Sequence, residues 1–375
     1  MKKIFGQQSF VIRNRNVEAA VTELGGHLGP VRFSLGRKKV QPFSVAPWWN
    51  EKLAAGTPTL LRVLRGDFFC LPFGGNAKPW HGERHPPHGE TANARWRLES
   101  LKREGDEVNL RLSLKTRVRP GRVDKRIRLL DGHTVVYQEH VISGMSGPMP
   151  LGHHAMLKFP DREGAGRLST SKMALGQVFV EAAERPSERG YSVLKPGAVF
   201  DQLNRVPDIT GGTADLTHYP ARRGFEDIVM LVADPRLKVA WNAVAFPEDG
   251  YVWFALRDPR VLASTVLWIS NGGRHYPPWN GRHVNVMGVE DVTAWFHYGL
   301  AQSAEPNPLT TLGYKTHQVL TATEPFTVRY VMGVAPIGQR FGRVANIQFA
   351  DDSIVLEGEA GESVKVAVDL KFLGL

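Results

Sequence analysis

One cysteine, Cys70, stands in a chain of 375 residues. A single thiol excludes an intramolecular disulfide and any metal site built from several cysteines, and it suits a reducing compartment. No stretch approaches the roughly 18 uninterrupted apolar residues of a membrane helix. The opening run "MKKIFGQQSFVIRNRN" starts with basic residues but lacks the apolar middle region of a signal peptide. A soluble, cytoplasmic protein is expected. The chain also lacks a phosphate-cradling P-loop and a dinucleotide fingerprint, which disfavours nucleotide enzymes.

Acidic residues are the minority: 37 Asp and Glu face 47 Lys and Arg, a net charge of +10. Such a field attracts anions. The basic residues are scattered, however, and no nucleic-acid motif accompanies them. In the densest run, "KTRVRPGRVDKRIR" (115–128), Val118, Val123 and Ile127 alternate with arginines. That pattern predicts a half-solvated strand with the arginines outward. Neither nucleic acid nor membrane is expected as a partner, and a small acidic ligand stays open.

Long helical patterns are missing as well. Only "NEKLAAGTPTLLRVL" hints at a helix, and Gly56 and Pro58 cut it short. Period-two segments take their place: 9–14, 108–116, 134–142, 237–246, 251–257, 264–270, 326–334 and 364–372 all read as strands. Turn chemistry separates them, supplied by many of the 38 glycines and 25 prolines. Strands without α/β alternation predict an all-β fold, a large antiparallel β-sandwich formed by residues 1–375 as one domain. Three stretches break the strand rhythm, 43–96, 185–225 and 271–290. Long ordered loops on a sandwich edge are where a site is expected.

Four segments carry candidate chemistry. In "KPWHGERHPPHGETANARW" (78–96), His81, His85 and His88 have the spacing of metal ligands on a helix, but Pro86, Pro87 and Gly89 forbid that helix. No metal is expected, and His88 before flexible Gly89 is the imidazole best placed to enter a cleft. In "LGHHAMLKFP" (151–160), two adjacent histidines on a strand must face opposite ways, so one of His153 and His154 meets a core and the other a cleft. In "YPPWNGRHVNVMGVEDV" (276–292), Glu290 sits among alternating apolar residues, with Trp279 for stacking and Arg282 nearby. Aromatic faces beside a few polar groups suit a sugar. In "LRVLRGDFFCLPFGGNAKPW" (61–80), Arg65 and Asn76 are candidates for reaching ligand oxygens.

Taken in order, these pieces resemble the galactose mutarotase-like superfamily, the aldose 1-epimerases. The likeness runs from an early "PFG-x-N" loop through His88-Gly89 and "PMPLGHHAML" to Gly288-Val289-Glu290, covering about residues 10 to 335. It implies the family's galactose mutarotase-like β-sandwich, with Glu290 as general base, His154 as general acid and His88 as a second active-site histidine that polarises the sugar. Arg65 and Asn76 fall near the family's substrate-contacting segment, and His153 would then pack or hydrogen-bond behind His154. Two positions depart from the pattern: Ala155 follows His154 in place of an aromatic, and "HGETAN" replaces a motif that usually contains arginine.

The residue types suit ring opening of a hemiacetal on their own account. An ionised Glu removes the anomeric hydroxyl proton while a protonated His supplies one to the ring oxygen, with no cofactor. The expected ligand is a small carbohydrate, neutral or anionic. A carbohydrate-binding or sensing protein without turnover is the alternative. A lyase or hydrolase centred on paired carboxylates is disfavoured, because Glu290 and Asp291 point opposite ways on a strand.

Overall fold

A computed structural model of the chain describes residues 1–374. All its strand ladders are antiparallel. One sheet of nine strands runs from His218–Tyr219 at one edge, through Tyr251–Arg257 and Phe326–Pro336, to Arg97–Glu104 at the other. A second, of eight strands, has Phe225–Ala233, Ser264–Asn271 and Val286–Thr293 at its centre. Leu151–His153 and Ala155–Lys158 pair side by side along Val286–Thr293. A five-stranded N-terminal sheet spans residues 2–40, and Val344–Ala350, Ser353–Gly358 and Ser363–Ala367 form a three-stranded ribbon. The fold is an all-β sandwich.

Period-two patterning explains the layers. Leu157, Leu267 and Val289 of the eight-stranded sheet share one buried cluster with Val244, Trp253 and Tyr330 of the nine-stranded sheet. Phe10, Ile12, Val31 and Phe33 of the N-terminal sheet join that cluster against Val123 and Ile127. The alternate residues, Met156, Ile228, Val266 and Trp268, point away from it and are covered by the loops that carry Trp48, Leu60, Leu64 and Trp279. The central strands are therefore apolar on both faces. On the far side of the nine-stranded sheet, Ile347, Ile354 and Leu356 of the ribbon pack on Val252, Phe254 and Val331.

Seven of the eight anticipated strands form with small shifts at their ends; the last, expected over 364–372, stops at Ala367 and gives way to a 3-10 turn at Leu370–Leu373, and the helical hint shrinks to Thr59–Val63. Two expectations need correction. Val118 lies in a turn, and the strand begins only at Gly121; its inward face carries Lys125 between Val123 and Ile127. The buried ammonium donates to the Gly26 carbonyl at 2.6 Å and lies 4.8 Å from the Trp96 ring, which offsets its desolvation. The stretch 271–290 is also not all loop, since Val286–Thr293 is a central strand. Its Gly288 and its polar residues mask the pattern.

The ribbon contributes real packing. Replacing fully buried Ile354 by alanine is expected to cost about 2–5 kcal/mol in urea unfolding. A change near zero would mean the ribbon is not part of the cooperative core.

Candidate active site

Strand register builds the centre. Ala155 pairs with Val289, so His154 and Glu290 lie side by side on neighbouring strands, both facing the loop layer. His154 Nε2 is 3.2 Å from Glu290 Oε1, and the two residues are 5% and 2% exposed. The His154 main-chain N–H donates to the Phe68 carbonyl, and the Phe68 ring stacks on the imidazole at 4.5 Å. Glu290 folds back over Gly288, where any side chain would collide with its carboxyl oxygen and crowd Trp268.

His88 arrives from the first long loop. Its backbone has φ +57°, and Gly89 beside it has φ +75° with no room for a Cβ against the Leu71 carbonyl. The His88 and His154 rings meet edge to face at 4.9 Å. His88 Nδ1 faces the Gly74 N–H and the Cys70 thiol, each at 3.4 Å. Both partners can donate, which makes Nδ1 the acceptor and leaves the ring proton on Nε2. His88 thus offers its Nε2–H as a donor.

These three residues line one cavity of about 320 Å³. Leu60, Leu61, Leu64, Ile228 and Val266 form apolar wall; Trp268 from a strand and Arg274, Tyr276, Trp279 and His297 from loops add aromatic and polar lining. Arg274 lies 5.0 Å from the Trp268 ring and 4.9 Å from the Trp279 ring. Its Nε donates to Glu184 Oε1 at 2.5 Å, with Glu226 Oε2 at 3.8 Å. Glu226 in turn accepts from Trp268 Nε1 and Ser270 Oγ, both at 2.9 Å. Burial lifts the Glu226 carboxyl to about 7 against the pull of Arg274.

Burial dominates the electrostatics of the pair. It raises Glu290 well above the usual carboxylate range, with Arg274 opposing, and lowers His154 to about 3. His88 is lowered well below 6.5 by the same cause, reinforced by His154, His297 and Arg274. Burial thus works against both charges that residue type suggests, the ionised glutamate and the protonated histidine. Two bare charges in so dry a place would cost more than their attraction returns.

The remaining expected site residues separate from this centre. His153 is fully buried, its Nδ1 2.8 Å from Asp67 Oδ2 and its ring stacked on Tyr330 at 4.3 Å, on the opposite face of the strand. Arg65 does not reach the cavity; its Nε, Nη1 and Nη2 donate to the carbonyls of Val63, Ile4 and Phe5. Asn76 is buried too, holding its loop through the Gly74 carbonyl and the Leu300 N–H. Arg282 forms a bidentate pair with Glu51 on the rim, at 2.5 and 2.8 Å. Trp279 does line the cavity, but with the Arg274 guanidinium over its ring. His81 and His85 part from His88, His85 turning to Glu83 at 2.8 Å.

Trp268, Tyr276 and His297 line the cavity without having been singled out, and Arg274 was noted only as a neighbour of Trp279 in sequence. Trp268 was discoverable, being in phase with Val266 on a strand whose alternate side faces the core. For Arg274, the preceding Gly272-Gly273 and the following aromatic and proline run were the only local signal.

Buried neutral histidines make stability acid-sensitive. His27, His154 and His283 are lowered to about 3 and His297 to about 4, chiefly by burial. In the unfolded chain they bind protons below their ordinary 6.5, whereas in the folded chain they stay bare down to those lowered values. These rings make the unfolded state take up more protons in that window and so withdraw stability as pH falls through it; Glu226, Asp227 and Glu290, raised by burial, act in the opposite sense and are outnumbered. The urea midpoint is expected to drop between about pH 7 and about pH 5, above the range of ordinary carboxylates. An unchanged midpoint would contradict neutral burial of these rings.

No protein-family model and no curated protein matches the chain in sequence. Solved structures do match in fold. A galactose mutarotase-like protein from Clostridium acetobutylicum aligns with TM-score 0.55 at 11% identity, covering 90% of this chain and 98% of its own. A galactose mutarotase related enzyme from Lactobacillus acidophilus aligns with TM-score 0.54 at 12% identity, covering 88% and 98%. A candidate aldose 1-epimerase from Escherichia coli K12 aligns with TM-score 0.56 at 14% identity, covering 88% and 100%. At such identities the likeness is one of architecture. The chain has the galactose mutarotase-like fold.

Proposed function

We propose that the protein is a mutarotase of the aldose 1-epimerase type, which interconverts the anomers of a sugar by acid–base ring opening. The observation that carries this reading is the convergence of His88, His154 and Glu290 on one cavity, with an imidazole nitrogen and a carboxyl oxygen 3.2 Å apart. The anomeric hydroxyl and the ring oxygen of a hemiacetal share one carbon. An acid and a base set this close together are placed to serve both oxygens at once.

The chemistry follows from a pair that holds one transferable proton. Glu290 gives its proton to the ring oxygen while His154 Nε2 takes one from the anomeric hydroxyl, and the C1–O5 bond breaks. The sugar is then an open-chain aldehyde, and the proton has passed from Glu290 to His154. Rotation about C1–C2 presents the other carbonyl face, and closure returns the proton to its starting place. With the proton initially on His154, the roles are exchanged, which is the assignment that family resemblance implies. His88 Nε2–H donates to a sugar oxygen. The sum requires no cofactor and no net proton. A single buried cysteine suits a reducing, cytoplasmic setting.

Glu290→Gln and His154→Asn are each expected to slow anomer exchange by about 10²-fold or more, read by saturation-transfer NMR over a panel of aldoses and uronates. Wild type and Glu290→Gln exchanging every sugar at the same rate would sink the enzymatic reading. Saturable binding without exchange would favour a sugar-binding protein instead.

A further inference from the structure

We propose that Arg274 reads a carboxylate, so that the cavity takes a uronate in preference to the neutral sugar; this rests on the carbohydrate reading above. The case begins with unused hydrogen-bonding capacity. Two buried arginines in this protein, Arg65 and Arg119, spend all three nitrogens on the fold. Arg65 donates to three main-chain carbonyls, and Arg119 donates from Nε and Nη2 to Glu83 and from Nη1 to the Pro148 carbonyl. Arg274 commits only Nε, to Glu184. Among the described residues, neither of its Nη groups donates to a protein acceptor.

Placement supports the same conclusion. Arg274 is the one Lys or Arg side chain among the residues lining the cavity, and it is 17% exposed there. Trp268 and Trp279 lie within 5.0 Å of the guanidinium, which orients the fork without occupying its terminal N–H groups. Two parallel N–H donors on a planar fork match the two oxygens of a carboxylate. The apolar wall of Leu60, Leu61 and Leu64 leaves that charge weakly screened.

Charge balance selects a carboxylate over a phosphate. Glu184 already opposes Arg274 on its Nε edge, with Glu226 close behind. With Glu184 paired to the guanidinium, a bound carboxylate adds one negative charge beside these two glutamates and a phosphate dianion adds two, so the monoanion is the less costly ligand.

The test is titration calorimetry with D-glucuronate and D-galacturonate, their parent hexoses, and D-glucose 6-phosphate. At least one uronate is expected to bind roughly tenfold or more tighter than its hexose, the scale of a charge-assisted pair. Arg274→Gln should erase that ratio. Glu184→Gln, which removes the competing carboxylate and keeps Arg274, should strengthen uronate binding several-fold and guards against a folding defect in the first variant. Equal binding of uronate and hexose, a preference that survives Arg274→Gln, or tighter binding of the phosphate would each overturn the proposal. Uronate binding that depends on Arg274, without anomer exchange, would overturn only the enzymatic reading. Failure of every sugar to bind would overturn both.

Discussion

The pairing of Ala155 with Val289 is the constraint from which the site follows. It sets His154 beside Glu290 on the loop-facing side, and it sets the residues next to them, His153 and Asp291, on the side facing the other sheet. Both inward groups are held there by polar partners. His153 meets Asp67, while Asp291 meets Arg257 and Thr265 at 2.7 Å and Tyr330 at 3.0 Å. A one-residue slip of either strand would exchange the two sets, exposing the wrong groups to the cavity and stranding charges between the sheets. The buried polar layer thus locks the register that the front face needs.

Desolvation then decides what the front face is. Glu290 and His154 touch while almost fully buried, and burial disfavours the charged form of each. Arg274 keeps its charge in the same cavity because Glu184, Glu226 and two tryptophan rings surround it. The cavity therefore sets a buried carboxyl–imidazole pair, whose charges burial disfavours, beside one localised cation.

The loops complete what the strands begin. Trp48, Leu60, Leu64 and Trp279 close over the outer face of the eight-stranded sheet, which would otherwise leave Ile228, Val266 and Trp268 in water. The same covering makes the cavity and excludes solvent from it. On the opposite side of the molecule the C-terminal ribbon does the equivalent work for the nine-stranded sheet. Both sheets are apolar on both faces, and each needs its own cover.

Alternating apolar residues, scarce helical periodicity and abundant turn residues were enough to read an antiparallel sandwich and most of its long strands, because those patterns are local. His88, His154 and Glu290 were legible through their types, their order and the resemblance those carry. Partners were not legible. Arg65, Asn76 and Arg282 looked like ligand contacts until main-chain carbonyls, an amide N–H and Glu51 were seen to engage them, and the partner behind His153, Asp67, could not be named. The surroundings of Arg274, two tryptophans and two glutamates, come from residues 184, 226, 268 and 279 and could not be read from its own segment. By itself the chain determines which groups alternate along each strand, since side-chain direction depends on the backbone alone. Only the tertiary structure decides which polar groups are satisfied, which stay free and which lose their charge, since hydrogen bonding and desolvation depend on neighbours far away in sequence.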